Sequence, residues 1–358
     1  MGAATEVLFS SSQAMRPKRD RAVDVARGMA MTLVVLGHNT AFSQWQPNAV
    51  KFIFLFHVPA FFFLSGYVFN PETATLVKLA RRLLIPFAVF SILFALAKLV
   101  ARNGDVLGAA ASVIWSTGAT LPTSQLWFLP TLFLALLVAR IVLQAWGRLG
   151  STAVVALTMF VLVSLAYFAL HIWTPPFEYL RWPSGKGPIG WPWSIEIVPI
   201  ALVFCLSGYL LKEAGILHRI PLWYLAVMFS VVIVAYLLGA RVDLNLRLMS
   251  PYMLALMAAL GGSLAIMIAG RSIAKIGVGR DLMETIGQHT LVILAFHVTF
   301  QNAALAIIRP LASSHGIPGS VWLPSAVVIG TTFAIIGSIA VSAGYQRGIG
   351  LFMTWRGR

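Results

Sequence analysis

A chain of 358 residues with 59% hydrophobic and only 10% charged side chains is no ordinary soluble domain, in which about a quarter of residues carry charge. A net charge of +15 would suggest nucleic acid in a soluble protein. In so apolar a chain it serves membrane orientation instead, because Lys and Arg collect on the cytoplasmic face, and nucleic-acid binding is set aside.

The polar stretch MGAATEVLFSSSQAMRPKRDR precedes the first apolar run, so it is not expected to act as a cleavable signal. Glu6 stands where a myristoylation motif needs Ser or Thr. Apolar runs of spanning length follow at about 24–43, 52–69, 83–100, 126–145 and 152–173, then at about 194–211, 222–240, 251–269, 287–308 and 321–343. The expected fold is an all-α, polytopic transmembrane helical bundle of about ten spans. Placing the N-terminus in the cytoplasm puts most of the 26 Lys and Arg on that side, which gives an N-in, C-in topology. A basic cytoplasmic segment over 1–22, a transmembrane domain over 23–345 and a basic cytoplasmic tail over 346–358 follow. The one cysteine, Cys205, lies in an apolar run and reads as a small core residue. Small-residue stretches such as GGSLAIMIAG pack helices either within one chain or between copies of a homo-oligomer.

In RDRAVDVARGMAMTLVVLGHNT, Arg27 and His38 are eleven residues apart. Eleven steps of about 100° end about 20° past three turns, so both fall on one helix face about 16 Å apart, with Asp24 on the same face. Ionisable groups along an intramembrane stripe are functional candidates by default. His57 in FHVPAFFFLSGYVF, His297 in LVILAFHVTF and Glu196 near the outer end of the sixth span are predicted at a depth similar to that of His38. His57 also has a structural reading, satisfying carbonyls freed by Pro59. Lys78, Arg81 and Arg82 face the same water as Arg27, either as positive-inside anchors or, with Arg27, as a cradle for a nucleotide phosphate. The Trp-rich loop 174–193 reads as an interfacial aromatic belt, with a sugar-stacking surface as the alternative. No short HxxxH or HExxH spacing supports a metal site.

These residues resemble the acyltransferase-3 family of integral membrane acyltransferases. The resemblance rests on R-x10-H in the first helix with Asp24 and Gly28 in register, on FHVPAFFFLSGYVF with His57, Pro59, Phe63, Ser65 and Gly66, on KLARRLLIP and on QLWFLPTLF. The second helix is most similar to the fucose 4-O-acetylase-like branch. IGQHTLVILAFH is a looser match, with His289 where serine is more usual.

The resemblance implies a multi-pass enzyme of the bacterial cytoplasmic (inner) membrane. It would move an acyl group, often acetyl, from cytoplasmic acyl-coenzyme A to a hydroxyl of a carbohydrate or glycoconjugate, as in polysaccharide modification, with no metal. Catalysis would fall to His38 as general base, with an acyl-histidine intermediate as the variant, and to Arg27 and Asp24. The donor would be held by Arg27, Lys78, Arg81 and Arg82. Ser65 and Trp127, together with His57, Glu196 and His297, would shape the cavity, position the acceptor or tune the base. The competing reading is a proton-coupled secondary transporter using the buried His and Glu groups.

Overall fold

The computed structural model describes residues 20–102, 106–149, 151–172 and 190–355. Eight helical segments among them are long and apolar enough to cross a membrane: Pro47–Tyr67, Leu76–Val100, Ser124–Leu149, Thr152–His171, Pro192–Glu213, Tyr252–Ile276, Thr290–Ser314 and Gly319–Gly344. The two other predicted spans are shorter. They are α1 (Arg21–Gly37, 17 residues) and the apolar helix Trp223–Leu237 (15 residues), against the roughly 20 residues that a bilayer core requires. The chain forms an all-α polytopic bundle.

The first span ends earlier than the predicted 43. His38 caps α1 with its N–H on the Val34 carbonyl, and its ring Nδ1 lies against that same carbonyl. Asn39 then opens a short new helix, α2 (Thr40–Trp45), by accepting from the N–H groups of Ala41 and Phe42. Its amide also reaches α14 (Gly319–Trp355) at the Val327 carbonyl, 3.5 Å away, and at Thr331 Oγ1, 3.4 Å away. A polar residue that serves as both helix cap and interhelix tie stops a run that hydropathy alone would continue.

The second span is likewise two helices, α3 (Pro47–Phe54) and α4 (His57–Tyr67), with a break at Leu55–Phe56. Then come α5 (Leu76–Arg102), the short α6 (Val106–Trp115), α7 (Phe128–Leu149), α8 (Thr152–His171) and α9 (Val198–Glu213). The junction between the fourth and fifth spans is a true one, because Ser151 caps α8 through the Ala153 N–H. α9 begins after Glu196. Residues Pro192–Ile197 form a 3-10 turn in which Trp193 and Ser194 take φ of 59° and 51°.

Beyond α10 (Trp223–Leu237), a β-hairpin pairs β1 (Arg241–Asp243) with β2 (Leu248–Ser250), an element that apolar periodicity did not predict. The chain closes with α11 (Tyr252–Ile276), the amphipathic α12 (Arg280–Gln288), α13 (Thr290–Ser314) and α14.

Two pairs of helices meet backbone to backbone. A Cβ on Gly28 would strike the Met283 carbonyl of α12, and one on Gly287 would strike the Asp24 carbonyl of α1. Gly66 and Gly208 make the reciprocal contact between α4 and α9, at the carbonyls of Cys205 and Phe63. Small residues allow such approach where lipid supplies no hydrophobic drive between helices. The GGSLAIMIAG stretch does the same inside the chain, with Gly262 on Phe56 and Gly270 on Ala26. Cys205 is buried in this packing.

Candidate active site

α1 carries its ionisable groups where the helical period put them. Asp24 is buried, and its Oδ1 lies 3.8 Å from a guanidinium nitrogen of Arg27, one turn on. At the other end, termination of α1 leaves carbonyls without intrahelical donors. Val34 O, which already takes the His38 backbone N–H, also takes its Nδ1 at 2.9 Å, and Val35 O, left without a backbone donor, takes Nε2 of Gln301 from α13 at 2.7 Å. His38 therefore sits on a helix end fixed by two side-chain hydrogen bonds.

The structure brings three of the four predicted ionisable groups together. The His38 ring centroid is 5.9 Å from that of His57 and 5.3 Å from that of His297, with interplanar angles of 69° and 80°. Phe54 fills the gap, 5.7 Å from His38 and 4.5 Å from His57.

All three imidazoles are held alike. Nδ1 of His57 lies 3.1 Å from the Ile53 carbonyl, and Nδ1 of His297 lies 2.8 Å from Ile293 O and 3.0 Å from Leu294 O. A carbonyl only accepts, so each Nδ1 carries the proton and Nε2 of each neutral ring carries the lone pair. His57 thus satisfies a carbonyl at the α3 and α4 break rather than one freed by Pro59. His297 is fully buried, and its Nε2 has no hydrogen-bond partner among the described residues.

A cavity of about 530 Å³ runs along α1 past this layer. One end is lined by Arg27, Arg82 and Gln288, the middle by His38, Phe54 and His57, and the far end by Gln125, Trp127, Asp243 and Asn245. Ser65 and Phe128 also line it, whereas His297 stands behind His38. The predicted basic cluster divides here. All three are exposed, but of them only Arg82 lines the cavity, and Lys78 Nζ donates to the Thr73 carbonyl at 3.2 Å.

Glu196 is the predicted residue that the structure places elsewhere. It is fully buried, accepts from Nε of Arg247 at 2.8 Å and from the Trp191 N–H at 3.3 Å, and does not line the cavity. Arg247, at φ 58°, also donates to Ser194 Oγ at 3.2 Å and to the Asn245 carbonyl. This latch ties the hairpin to the turn before α9.

Of the Trp-rich loop, residues 173–189 lie outside the described residues. Trp193 donates to the Ile114 carbonyl at 3.0 Å, and Trp115 donates to the Gly190 carbonyl at 3.0 Å. Gln301, Gln125, Asp243 and Asn245 were not read from the sequence. The adjacent amides Gln301 and Asn302 inside the apolar run TFQNAALAI are the signal that would have found Gln301. Asp243 accepts from the Leu246 N–H at 3.2 Å. Burial pushes its carboxyl above the usual carboxylate range, against the opposing pull of the Leu246 and Asn245 N–H groups and of Arg247. Among the described residues, no group of three His, Cys, Asp or Glu is arranged to hold a metal ion.

The acyltransferase-3 model, described as an acyltransferase domain, matches residues 20–343. The chain belongs to the acyltransferase-3 family. That membership, with its apolar helices, makes it a multi-pass membrane protein of an acyltransferase family. The chain is also 25% identical over 223 residues to nodulation protein NolL of Mesorhizobium japonicum. The aligned stretch is 53% of this chain and spans 57% of that relative's length. No solved structure matches the chain.

Proposed function

We propose that this acyltransferase moves an acyl group, typically acetyl, from acyl-coenzyme A to a hydroxyl of a carbohydrate or glycoconjugate, with His38 as general base. The observation that carries this reading is the position of His38. Its lone-pair nitrogen is left available, by the Val34 hydrogen bond, in a cavity that starts at two guanidiniums and continues beyond the histidine layer.

Arg27 and Arg82 offer the planar, permanently charged groups that suit phosphate oxygens, and the Asp24 carboxylate beside Arg27 orients its side chain. A donor anchored there by its nucleotide phosphates extends its thioester arm along α1, about 16 Å to His38. The acceptor O–H gives its proton to His38 Nε2 as the oxygen attacks the thioester carbonyl carbon. The C–S bond then breaks, and the leaving thiolate takes that proton from Nε2. Phe54 and Phe128 exclude water from the centre, which limits hydrolysis of the thioester. The positive-inside pattern supports an orientation with the Arg27 end at the cytoplasmic face of a bacterial inner membrane.

The test compares purified wild type with His38→Ala, measuring free thiol release, acylated product and coenzyme A binding. The variant should fold and bind coenzyme A while transfer falls at least about a hundredfold. Transfer at the wild-type rate by a folded His38→Ala protein overturns the base assignment, and absence of any acyl-coenzyme A affinity in wild type overturns the donor.

A further inference from the structure

The cavity is electrically polarised along its length. Among the described lining residues, the two guanidiniums of Arg27 and Arg82 lie at one end, and the single carboxylate, Asp243, lies at the other. We propose that the Asp243 end is an acceptor subsite selective for uncharged, polyhydroxylated molecules, in which Asp243 excludes acceptors bearing an anionic group. The inference rests on the acyl-transfer reading of the same cavity.

Four side chains at that end point to this ligand chemistry. Gln125 is 9% exposed and lines the cavity, yet its amide has no hydrogen-bond partner among the described residues. Asn245 Oδ1 is buried and is likewise without a partner among them. Folded proteins rarely leave buried amides unpaired, so their partner is to be sought in what enters the cavity. An amide both donates and accepts, an indole N–H donates and a carboxylate accepts. A surface that mixes all three matches hydroxyl groups, which do both. The ring of Trp127 lines the same end and offers an apolar face to the C–H side of a sugar ring.

Asp243 is positioned to select rather than merely to cap. Its Oδ1 takes the Leu246 N–H, and the carboxylate lines the cavity, where ligand hydroxyls can donate to it. No Lys or Arg among the described lining residues stands at this end to neutralise a carboxylate or phosphate brought in by an acceptor. The nearest guanidinium, Arg247, is already committed to Glu196. Like charges brought together in a partly dehydrated site repel strongly, and such repulsion is an effective source of specificity.

The site is also built to hold its shape. Pairing of β1 with β2 and the Glu196 to Arg247 latch fix the hairpin. The Asn245 amide lies so close to Gly118 that a Cβ there would collide with it, so the hairpin and the loop before α7 meet with no slack.

The experiment gives purified protein acetyl-coenzyme A and a panel of methyl hexosides with the matching methyl hexuronides. Free thiol and acetylated sugar are measured together. Wild type should acetylate the neutral glycosides at least about tenfold faster than the uronides, and Asp243→Asn should narrow that ratio by a similar factor. Gln125→Ala should raise KM for the neutral glycoside while the donor KM stays put, which gives a second reading if Asp243→Asn fails to fold. Uronides used as well as neutral glycosides by wild type, or a ratio unmoved by Asp243→Asn, overturns the subsite. Thiol release from the donor with none of the neutral glycosides acetylated overturns it too. Absence of both thiol release and coenzyme A binding strikes the acyl-transfer reading instead.

Discussion

Gln301 of α13 donates to the Val35 carbonyl of α1 at 2.7 Å, one residue beyond the carbonyl that holds His38. The amide replaces the backbone donor that α1 lost by ending, so the position of His38 depends on a neighbouring helix.

Gln301→Ala removes that donor and leaves a buried carbonyl unpaired, which costs about 1–3 kcal/mol. The helix end then loses its fixed geometry. We expect kcat to fall by about tenfold or more with the donor KM unchanged. Steady-state kinetics with acetyl-coenzyme A checks this, and an effect confined to KM contradicts it.

At the opposite end of the cavity, Arg82→Gln should raise the donor KM by about tenfold, because a charged phosphate contact is lost. Lys78→Gln and Arg81→Gln should change it less than about twofold, since both residues lie off the cavity wall. Equal effects at all three positions would return the cluster to general membrane anchoring.

Burial of Glu196 with Arg247 makes that pair a stability element. Glu196→Gln leaves the guanidinium buried without its counter-charge, which costs about 3–5 kcal/mol. Thermal unfolding in detergent should show a marked fall in Tm, and the double variant Glu196→Leu with Arg247→Met should recover part of it. A Glu196→Gln protein with wild-type Tm and no transfer would mean that the carboxylate acts in the chemistry.

Gly28→Ala tests the α1 and α12 contact, where a methyl group would strike the Met283 carbonyl. Neither backbone can yield locally, so the helices must move apart. We expect a loss of about 1–3 kcal/mol or more, read as a lower Tm together with weaker coenzyme A binding, because Arg27 is the preceding residue. Gly147→Ala, whose added carbon meets nothing within 4 Å, is the matched control.

The preference for neutral acceptors should depend on pH with a definite sign. Burial raises the Asp243 carboxyl, so it takes up its proton at a higher pH than an exposed aspartate near about 3.9. Above that point Asp243 is an anion and repels anionic acceptors, and below it the repulsion is gone. A sulfated glycoside, which keeps its charge throughout, should therefore approach the neutral glycoside in rate as pH falls from 7. Asp243→Asn should flatten the profile.

The stripe from Arg27 to His38 was legible because both groups sit on one α-helix whose period is fixed by covalent geometry. The depth shared by His38, His57 and His297 was legible for the same reason, as each depth is a count of residues from a span's end. Orientation between elements was not. Lys78, Arg81 and Arg82 occupy nearly one helical face, yet only Arg82 reaches the cavity, and the roll of α5 is set by what it packs against. Glu196 was read as part of the histidine layer because its counter-charge, Arg247, lies 51 residues away in a hairpin that apolar periodicity does not reveal. The stop at His38 depended on Asn39 finding α14, a contact nearly 290 residues distant in sequence.

Each histidine in the central layer spends its only N–H on a backbone carbonyl, so the neutral layer offers lone pairs and nothing to give. A thioester carbonyl arriving alone finds no donor there. In the proposed transfer, the first mobile proton in the layer would be the one that the acceptor hydroxyl brings, and His38, once it held that proton, would be the donor for the departing sulfur. On the proposed reading, a donor thioester bound without an acceptor would meet a layer that offers lone pairs and holds no proton to give.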